Sequence, residues 1–345
     1  MPSKAAQPDP QAIAAELVNW FGQHARDYPW RRTRDPYAIL IAEVMLQQTQ
    51  IATVLDRGYY TRWLERFPDF PTLAAAREDD VLKVWEGLGY YRRARNLQRL
   101  AREVIAKHGG VFPQDPVAIL ALPGIGPYTA GAVASFAFGL AEPIVDGNIT
   151  RVLARIYNDA TPVDSTAGTK LLWARAKALV QTTEDPRSLN AALMELGQTR
   201  CTPTKPTCDL CPVRAHCRAT EPEALPVKHA RPAITAVTEH VVFLRTSEGV
   251  LLELETGKRR TGLWKLPALH PMQVDEPPPV LLRSHYGITR YKVTLWVHEP
   301  QAEESVWPDT HRIIPFGELE STPMPAPYRR VLRELLERGE FRLHA

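Results

Sequence analysis

The sequence predicts an α+β protein of two domains, an all-α part followed by a smaller β-rich part. The chain has 345 residues, which is enough for two hydrophobic cores. From residue 11 to about residue 187, apolar residues recur at three- and four-residue spacing, as in Ile13, Leu17, Trp20 and Phe21, and prolines separate the segments. Beyond residue 236 the pattern changes to strand-like runs, and a helix is predicted at the end. The strands are predicted at His240–Leu244, Gly249–Leu254, Gly262–Pro267 and Tyr291–His298, and the terminal helix at about Pro327–Arg338.

The composition is that of a soluble globular protein without a dominant charge. Hydrophobic residues make up 44% of the chain and charged residues 23%, with a net charge of +3. Nucleic-acid binding therefore has to be argued from local features. No apolar run reaches the roughly 18 residues of a membrane helix, and the polar N terminus lacks a signal-peptide core. We expect a cytoplasmic monomer, in a bacterial cytosol and nucleoid, that does not bind membranes.

A helix-hairpin-helix is predicted over about residues 115–137. Gly124 and Gly126 flank one hydrophobic residue in a tight turn, and Pro127 suits the first position of the next helix. Backbone N–H groups at such a helix start can bind an anion, and a DNA phosphate is the natural candidate. Such a turn is also often only a connection between helices, so the phosphate site is a hypothesis.

Two carboxylates are predicted to have opposite environments. Glu43 is the one acid in the strongly apolar segment 38–50, and burial there would raise its pKa, although an edge position facing solvent or an arginine is equally compatible. Asp146 precedes the helical run Asn148–Tyr157, where the helix start favours its ionised form, whether as a simple cap or as a catalyst. One protonatable and one ionised carboxylate suit N-glycosidic cleavage, which needs a protonated leaving purine and a stabilised sugar cation.

The four cysteines form one short segment with the spacing C-x6-C-x2-C-x5-C: Cys201, Cys208, Cys211 and Cys217. A disulfide scaffold would spread its cysteines along the chain, so this segment is predicted to bind metal. Zinc sites usually have two close cysteine pairs, and this segment has one, which moderately favours an iron–sulfur cluster.

Several motifs together resemble those of the MutY family of adenine DNA glycosylases, over roughly residues 13–220. They are Pro29-Trp30-Arg31, Asp35-Pro36-Tyr37, Glu43 to Gln50, Trp85 to Tyr91, the hairpin, Val145 to Asn148 and the cysteine segment. The resemblance implies excision of adenine opposite 8-oxoguanine or guanine in double-stranded DNA, and a 4Fe-4S cluster held by the four cysteines. It implies that Glu43 protonates the adenine, that Asp146 stabilises the sugar cation, and that Tyr128 and Asn148 support the pair.

The resemblance also implies contacts with DNA. Gln48 and Tyr90 would insert around the base opposite the adenine, which is plausible because extrusion of a base leaves a gap that planar groups can fill. The full set of implied DNA or base contacts is Trp30, Arg31, Leu46, Gln48, Thr49, Tyr90, Gly124, Gly126, Thr289 and Arg290.

The residue type at Tyr128 distinguishes two branches of the helix-hairpin-helix DNA glycosylases, which the hairpin and Asp146 resemble. In the endonuclease III branch, a lysine at this hairpin-helix position is the amine nucleophile that permits strand cleavage. A phenol there predicts a monofunctional glycosylase, although most tyrosines at such spacing are simply buried helix aromatics. At Ala191, where relatives often have Gln or Glu, a polar contact near the adenine pocket is expected to be missing.

Four segments are expected along the chain: a disordered N terminus at residues 1–10, a helical domain at 11–220, a linker at 221–235 and a C-terminal domain at 236–345. The C-terminal domain resembles a reduced Nudix-like α/β domain. The eleven residues between Leu269 and Leu281 include four prolines, so the long Nudix helix is expected to be absent. Without a glutamate-rich signature, no pyrophosphohydrolase activity is expected. The family's Phe-Ser-His recognition turn aligns with Ile288-Thr289-Arg290, and arginine is only a donor.

Two rival functions remain open from the sequence. One is a mismatch glycosylase of the same superfamily that acts on thymine or a damaged pyrimidine. The other is a non-catalytic DNA-binding iron–sulfur protein, against which the retention of Glu43, Tyr128 and Asp146 argues.

Overall fold

The structure, a computed structural model, describes residues 8–229, 233–257, 260–269, 278–288, 290–300 and 307–339. The chain divides into two compact units. We call them the helical unit, Met1–Ala74 with Arg99–Ala230, and the mixed unit, Ala75–Gln98 with Arg231–Ala345. A short segment from the first part of the chain therefore belongs with the C-terminal part. In the portion of the chain that is described, none of the helices is long and apolar enough to cross a bilayer.

The predicted all-α part is confirmed. Its helices, in chain order, are α1 (Pro10–His24), α2 (Pro36–Leu46), α3 (Ile51–Asp56), α4 (Tyr59–Arg66), α5 (Phe70–Ala75), α6 (Glu78–Val84), α7 (Arg92–His108), α8 (Pro116–Ala121), α9 (Pro127–Phe138), α10 (Gly147–Ile156), α11 (Thr166–Val180) and α12 (Pro186–Thr199). A short 3₁₀ helix covers Pro29–Arg31. Helix α6 and the first part of α7 belong to the mixed unit.

Aspartates begin several of these helices. Asp9, Asp35, Asp115 and Asp185 each accept a hydrogen bond from a backbone N–H of the first turn, and each is followed by proline at the first helical position. Because Asp9 caps α1, the helix begins at Pro10. Residues 9 and 10 are therefore ordered, although disorder was expected through residue 10. Residues 1–7 lie outside the described part.

The core of the helical unit is built from α1, α9, α10, α11 and α12. Its fully buried side chains include Leu17, Ile149, Leu153, Leu189 and Leu193. Helix α2 packs against α9 and α4. This packing brings the middle of α2, the start of α9 and the start of α10 to one side of the unit, where the predicted carboxylates lie.

The helix-hairpin-helix is confirmed as α8, a turn and α9. Gly124 has a φ of 78°, a left-handed conformation that favours glycine, whereas Gly126 has a φ of −105° and caps α9. The turn therefore needs the conformational freedom of glycine at Gly124 but not at Gly126. A Cβ added at Gly126 would meet no atom within 4 Å, so this glycine leaves open space beside the helix start.

The C-terminal part of the mixed unit contains two three-stranded sheets. The strands are β1 (Thr235–Val242), β2 (Gly249–Leu254), β3 (Trp264–Lys265), β4 (Val280–Ile288), β5 (Tyr291–His298) and β6 (His311–Pro315), and the helices are α13 (Phe316–Leu319) and α14 (Ala326–Arg338). One sheet has the order β1-β5-β4, with β1 parallel and β4 antiparallel to β5. The other has the order β3-β2-β6 and is antiparallel. Buried residues of both sheets and of α14 form one core.

The predicted strands at 249–254 and 291–298 and the terminal helix at about 327–338 are confirmed. The first strand begins at Thr235 rather than at His240, because its ladder with β5 starts at the pair Thr235 and Tyr291. Strands β4 and β6 were not predicted. The segment in which the Nudix helix is expected to be absent falls mostly on residues 270–277, outside the described residues.

Candidate active site

A cleft of about 1330 Å³ in the helical unit collects most of the predicted catalytic and base-contacting residues. It lies between the segment that contains the Pro29–Arg31 turn, helix α2 and the starts of α9, α10 and α12. The predicted residues that line it are Trp30, Arg31, Glu43, Leu46, Gln48, Thr49, Tyr128, Asp146, Asn148 and Ala191. Side chains that are far apart in the sequence thus share one cavity.

Glu43 lies on α2 and is 5% exposed, so its predicted burial is confirmed. The pKa of Glu43 is raised to about 7, mainly by burial and with a contribution from the negative charge of Asp146, while the hydrogen bond from Tyr128 and the charge of Arg31 oppose the rise. Near neutral pH a substantial fraction of this carboxyl group is therefore protonated. A group with this pKa can serve as a general acid and, once it has lost its proton, as a general base.

Tyr128 links the two helices that carry the site. It is the second residue of α9, and its hydroxyl donates a hydrogen bond to Oε2 of Glu43 over 2.8 Å. The same hydroxyl lies 3.8 Å from Sδ of Met194 on α12. Burial and the neighbouring carboxylates raise the pKa of Tyr128 well above its usual value. The phenol therefore stays protonated and orients Glu43.

Asp146 caps α10, as predicted. Its Oδ1 accepts a hydrogen bond of 2.7 Å from the backbone N–H of Ile149, and its Oδ2 accepts one of 2.9 Å from the amide of Asn148. Both donors stabilise the ionised carboxylate, and the start of the helix adds a favourable field. The environments of Glu43 and Asp146 thus differ in the predicted direction: an apolar helix around the first and hydrogen-bond donors around the second.

Arg151, one turn into α10, fixes the amide of Asn148. Its guanidinium donates to Oδ1 of Asn148 over 2.9 Å, to the carbonyl of Gly197 over 2.6 Å and to the carbonyl of Cys201 over 2.6 Å. The orientation of the Asn148 amide, and through it of Asp146, is thereby tied to the cysteine segment. The sequence analysis missed Arg151, although its position three residues after Asn148 places both on one face of α10.

Helices α10 and α12 approach closely at Gly197. A Cβ at this position would lie 2.6 Å from Cβ of Asn148, closer than real Cβ contacts. Glycine is therefore needed at position 197, because any side chain there would collide with Asn148. This contact matters for the site, since Asn148 donates a hydrogen bond to Asp146. The sequence analysis did not single out Gly197, since a glycine inside a helical pattern gives no indication of its partner.

Arg31 is fixed at one wall of the cleft. Its guanidinium donates to Oε2 of Glu195 over 2.7 Å and lies 4.8 Å from the ring centroid of Tyr28. Glu195 is 1% exposed and also lies 3.3 Å from Nε of Arg26. The buried Glu195, which the sequence analysis did not identify as a site residue, holds Arg31 in place.

Two predicted DNA-contacting residues have unusual backbone conformations. Gln48, at the rim of the cleft, has a φ of 58°, and Tyr90, in the mixed unit, has a φ of 47°. Non-glycine residues rarely adopt such values, and they persist only where surrounding contacts hold them. The side chain of Tyr90 is 45% exposed, which is high for a large aromatic residue.

The cysteine segment follows α12, and its four thiols are partly exposed. The pKa of the Cys211 thiol is raised to about 11, mainly by burial and further by interaction with the other three cysteines, against a hydrogen bond with the backbone of Val213. Arg155 of α10 donates to Sγ of Cys201 over 3.3 Å and to the carbonyl of Thr202 over 2.7 Å. Across the described residues, no three His, Cys, Asp or Glu side chains converge as ligands of one metal ion. The donor set fits a four-iron cluster, in which each thiolate binds a different iron and the sulfurs need not meet at one point.

The predicted recognition turn at residues 288–290 is described only in part. Thr289 lies outside the described residues. Arg290 is exposed, and its guanidinium donates to the hydroxyl of Tyr291 over 3.3 Å and lies 5.3 Å from the ring centroid of Tyr291. Its charge is therefore available at the surface of the mixed unit.

Each of three comparisons with known proteins finds similarity to DNA repair proteins. Residues 41–175 match the family described as HhH-GPD superfamily base excision DNA repair protein. The adenine DNA glycosylase of Homo sapiens is 45% identical over 219 residues, which cover 61% of this chain and 40% of the human protein. The adenine DNA glycosylase of Mycolicibacterium smegmatis is 42% identical over 204 residues, which cover 59% of this chain and 68% of that protein.

A solved structure of a thermostable thymine-DNA glycosylase matches with a TM-score of 0.55 and 33% identity, over 61% of this chain and 96% of that one. The chain spans only about 40% of the length of its human and mouse relatives. It nevertheless covers two thirds of the Mycolicibacterium smegmatis adenine DNA glycosylase. The region that matches the superfamily contains the hairpin, Glu43 and Asp146. The chain belongs to the adenine DNA glycosylase family.

Proposed function

We propose that this protein removes adenine mispaired with 8-oxoguanine or guanine in double-stranded DNA by hydrolysing the N-glycosidic bond. The observation that carries the proposal is the arrangement of Glu43, Tyr128 and Asp146 in one cleft. The first is protonatable near neutral pH, the second orients it, and the third is held by donors that favour its anion. The names of the relatives supply adenine as the base.

In the proposed mechanism, Glu43 donates its proton to a ring nitrogen of the extruded adenine. The bond between the sugar C1′ and the base nitrogen then breaks, and its electron pair leaves with the protonated base. The carboxylate of Asp146 stabilises the sugar cation that remains. Glu43, now ionised, accepts a proton from the water whose oxygen bonds to C1′. Each carboxyl group thus has the environment that its step requires.

The reaction is proposed to stop at the abasic site. Strand cleavage in this superfamily would need an amine nucleophile, and the hairpin helix presents the hydroxyl of Tyr128 instead. Among the described residues that line the cleft there is no lysine. We therefore expect release of the base with an intact strand.

Outside the cysteine segment and the predicted recognition turn, DNA contacts are proposed at three places. Gln48 and Tyr90, both held at positive φ, are suited to fill the space around the opposite base. The backbone at Gly126, beside open space at the start of α9, is suited to a close approach of a DNA phosphate. Trp30, Arg31, Leu46 and Thr49 line the cleft into which the adenine would enter.

The C-terminal part of the mixed unit is proposed to be a reduced Nudix-like domain. Two small sheets with a packed terminal helix support this proposal. Thr289 and Arg290 would face the 8-oxoguanine. Because arginine can donate but not accept, the preference for 8-oxoguanine over guanine is expected to be smaller than with a histidine at this position.

The four cysteines are proposed to hold a 4Fe-4S cluster, which would supply a rigid centre for the segment that follows α12. Lys205, Arg214 and His216 within that segment are suited to contact phosphates. Anaerobically purified protein should contain about four irons per chain and absorb visible light, whereas Cys208→Ser should lose both properties. Stoichiometric zinc in place of iron would overturn this assignment.

We also propose that the protein acts as a monomer in the cytosol and nucleoid.

A second candidate activity is removal of thymine, which the solved thymine-DNA glycosylase and the missing amide at Ala191 favour. Base release from duplexes that carry adenine opposite 8-oxoguanine, guanine or cytosine, and thymine opposite guanine, separates the two. Adenine released opposite 8-oxoguanine and guanine, with an uncut strand, is the expected result. Release of thymine alone would replace the proposal by its rival.

A further inference from the structure

The loop from Glu86 to Tyr91 in the mixed unit has a demanding backbone conformation. Gly87, Gly89 and Tyr90 all have positive φ, at 98°, 67° and 47°. Glycine accepts such values easily, but at Tyr90 the conformation costs free energy and needs external support. The exposed ring of Tyr90 therefore stands on a backbone that must be held in place.

Contacts within the loop supply part of this support. The indole N–H of Trp85 donates to the carbonyl of Gly89 over 3.0 Å, and the guanidinium of Arg93 donates to the carbonyls of Leu88 and Gly89 over 2.9 and 3.2 Å. The Arg93 guanidinium also lies 5.6 Å from the ring centroid of Tyr90. These contacts fix the middle of the loop but not its two ends.

Both ends also contact residues from the other end of the chain, and at the first end Glu86 pairs in addition with the nearby Lys83 over 2.9 Å. At the first, Arg329 of α14 makes two hydrogen bonds to the carboxylate of Glu86, over 2.5 and 3.0 Å. At the second, the hydroxyl of Tyr91 donates to the carbonyl of Met324 over 3.1 Å. Segment 319–329 therefore brackets the loop on both sides of Tyr90.

Arg329 is unusually well fixed for an arginine. It is 6% exposed, and its remaining N–H groups donate to the carbonyls of Leu319, over 2.5 Å, and Thr322. A buried, two-point pair between a guanidinium and a carboxylate has a defined geometry, unlike an exposed pair. Glu86, directly before Gly87, is thus attached to a rigid point.

We propose that Arg329 is a positioning residue for Tyr90, and that segment 319–329 determines how the protein reads the base opposite the excised adenine. The segment acts by holding the loop through Glu86 and Tyr91, and it needs no DNA contact of its own. This inference rests on the proposed function, in which Tyr90 stacks beside the opposite base.

The test combines Arg329→Met with Tyr90→Leu in the full-length protein. The measured quantity is the ratio of dissociation constants for a fully paired duplex and for one with adenine opposite 8-oxoguanine. Each single variant should lower this ratio by roughly tenfold, the size of one lost base–aromatic stack. The double variant should lose no more than Tyr90→Leu alone, because the two residues act through one contact.

The matched control is Arg333→Met on the same helix. Arg333 pairs with Glu320 at the surface, with side chains 59% and 66% exposed, and its loss should leave the ratio unchanged. Thermal unfolding of every variant reports on folding. Should Arg329→Met fail to fold, Tyr91→Phe takes its place, since it removes only the hydroxyl that contacts the Met324 carbonyl.

The outcomes separate the inference from the proposed function. Two results overturn the positioning role. In the first, the losses of the two single variants multiply in the double variant. In the second, the ratio of dissociation constants is unchanged in Arg329→Met, or in Tyr91→Phe if that variant replaces it. If the wild type binds the mispair selectively but releases no adenine, the proposed excision fails while the positioning role is still decided by the binding data. Equal wild-type affinity for both duplexes overturns the positioning role, because binding then has no selectivity for the loop to supply, while adenine release still decides the proposed excision.

Discussion

The carboxyl group of Glu43 acquires its chemistry from the helix that surrounds it. Eight of the other residues of α2, from Tyr37 to Met45, are buried, so the charged form of Glu43 has little solvation. Asp146, by contrast, receives two hydrogen bonds at a helix start. The difference arises from local environment, because the two side chains differ by only one methylene group.

The raised pKa of Glu43 predicts a pH-dependent stability. The folded state holds the proton up to about pH 7, whereas the unfolded carboxyl releases it near its usual value of 4.5. The stabilisation from this proton is complete below that usual value and is lost as the pH rises through 7. The variant Glu43→Gln cannot ionise. Its free energy of unfolding, measured relative to that of wild type, should therefore be about 3 kcal/mol higher at pH 8.5 than at pH 4.

Urea unfolding of wild type and Glu43→Gln at these two pH values checks the prediction. The exposed Glu65→Gln serves as the control and should show no such change. A Glu43→Gln difference that is the same at both pH values would mean that the carboxyl group is not buried in solution.

At the scale of elements, α10 connects the carboxylate of Asp146 with the cysteine segment. Asp146 caps its start, Arg151 follows one turn later, and Arg155 near its end contacts Cys201. The helix is thus a rigid spacer between the two functional parts of the unit. Its arginines donate hydrogen bonds to the carbonyl groups of Gly197, Cys201 and Thr202.

Loss of Arg151 should therefore impair catalysis through Asn148. In Arg151→Met the Asn148 amide loses its partner and Asp146 loses its fixed orientation, so adenine release should slow by on the order of tenfold to a hundredfold. Arg175→Met is the control, because Arg175 pairs with Asp159 outside the cleft. Single-turnover rates measure the effect, and equal slowing in both variants would indicate a general loss of stability instead.

The close approach of α10 and α12 predicts a strict requirement for glycine at position 197. Gly197→Ala should lower the free energy of unfolding by about 1–3 kcal/mol through overpacking against Asn148, and should also slow adenine release. Gly22→Ala in α1 is a matched control, since its added Cβ meets no atom within 4 Å and alanine favours helix formation. Thermal unfolding of both compares them directly. Similar effects at the two positions would contradict the packing argument.

Elements with a local signal were predictable from the sequence, and those fixed by distant contacts were not. The hairpin follows from Gly124 and Pro127, and the start of α10 from Asp146. Strand β4 follows a proline run and contains Arg283, Ser284 and Gly287, so its alternation is weak. It forms because β5 pairs with it along its length.

At the scale of the whole molecule, the order of the chain does not match the division into units. The segment 75–98 was assigned to the helical domain from its periodicity, yet in the structure it belongs with the C-terminal part. The hydrogen bonds between Glu86 and Arg329 span 243 positions, and no local pattern indicates them. The meeting of Glu43 and Asp146 likewise could be inferred only from the family resemblance, because each motif by itself is equally compatible with an ordinary helix.

The most direct test of the proposed chemistry is the single-turnover rate of adenine release from a duplex with adenine opposite 8-oxoguanine, for wild type and Asp146→Asn. Asparagine also caps helices well, so the variant should fold while lacking the anion. We expect free adenine and an uncut abasic strand from the wild type, and a rate lower by at least about a hundredfold in the variant. Equal rates for the two proteins would contradict the assigned role of Asp146, and no adenine from the wild type would contradict the proposed activity itself.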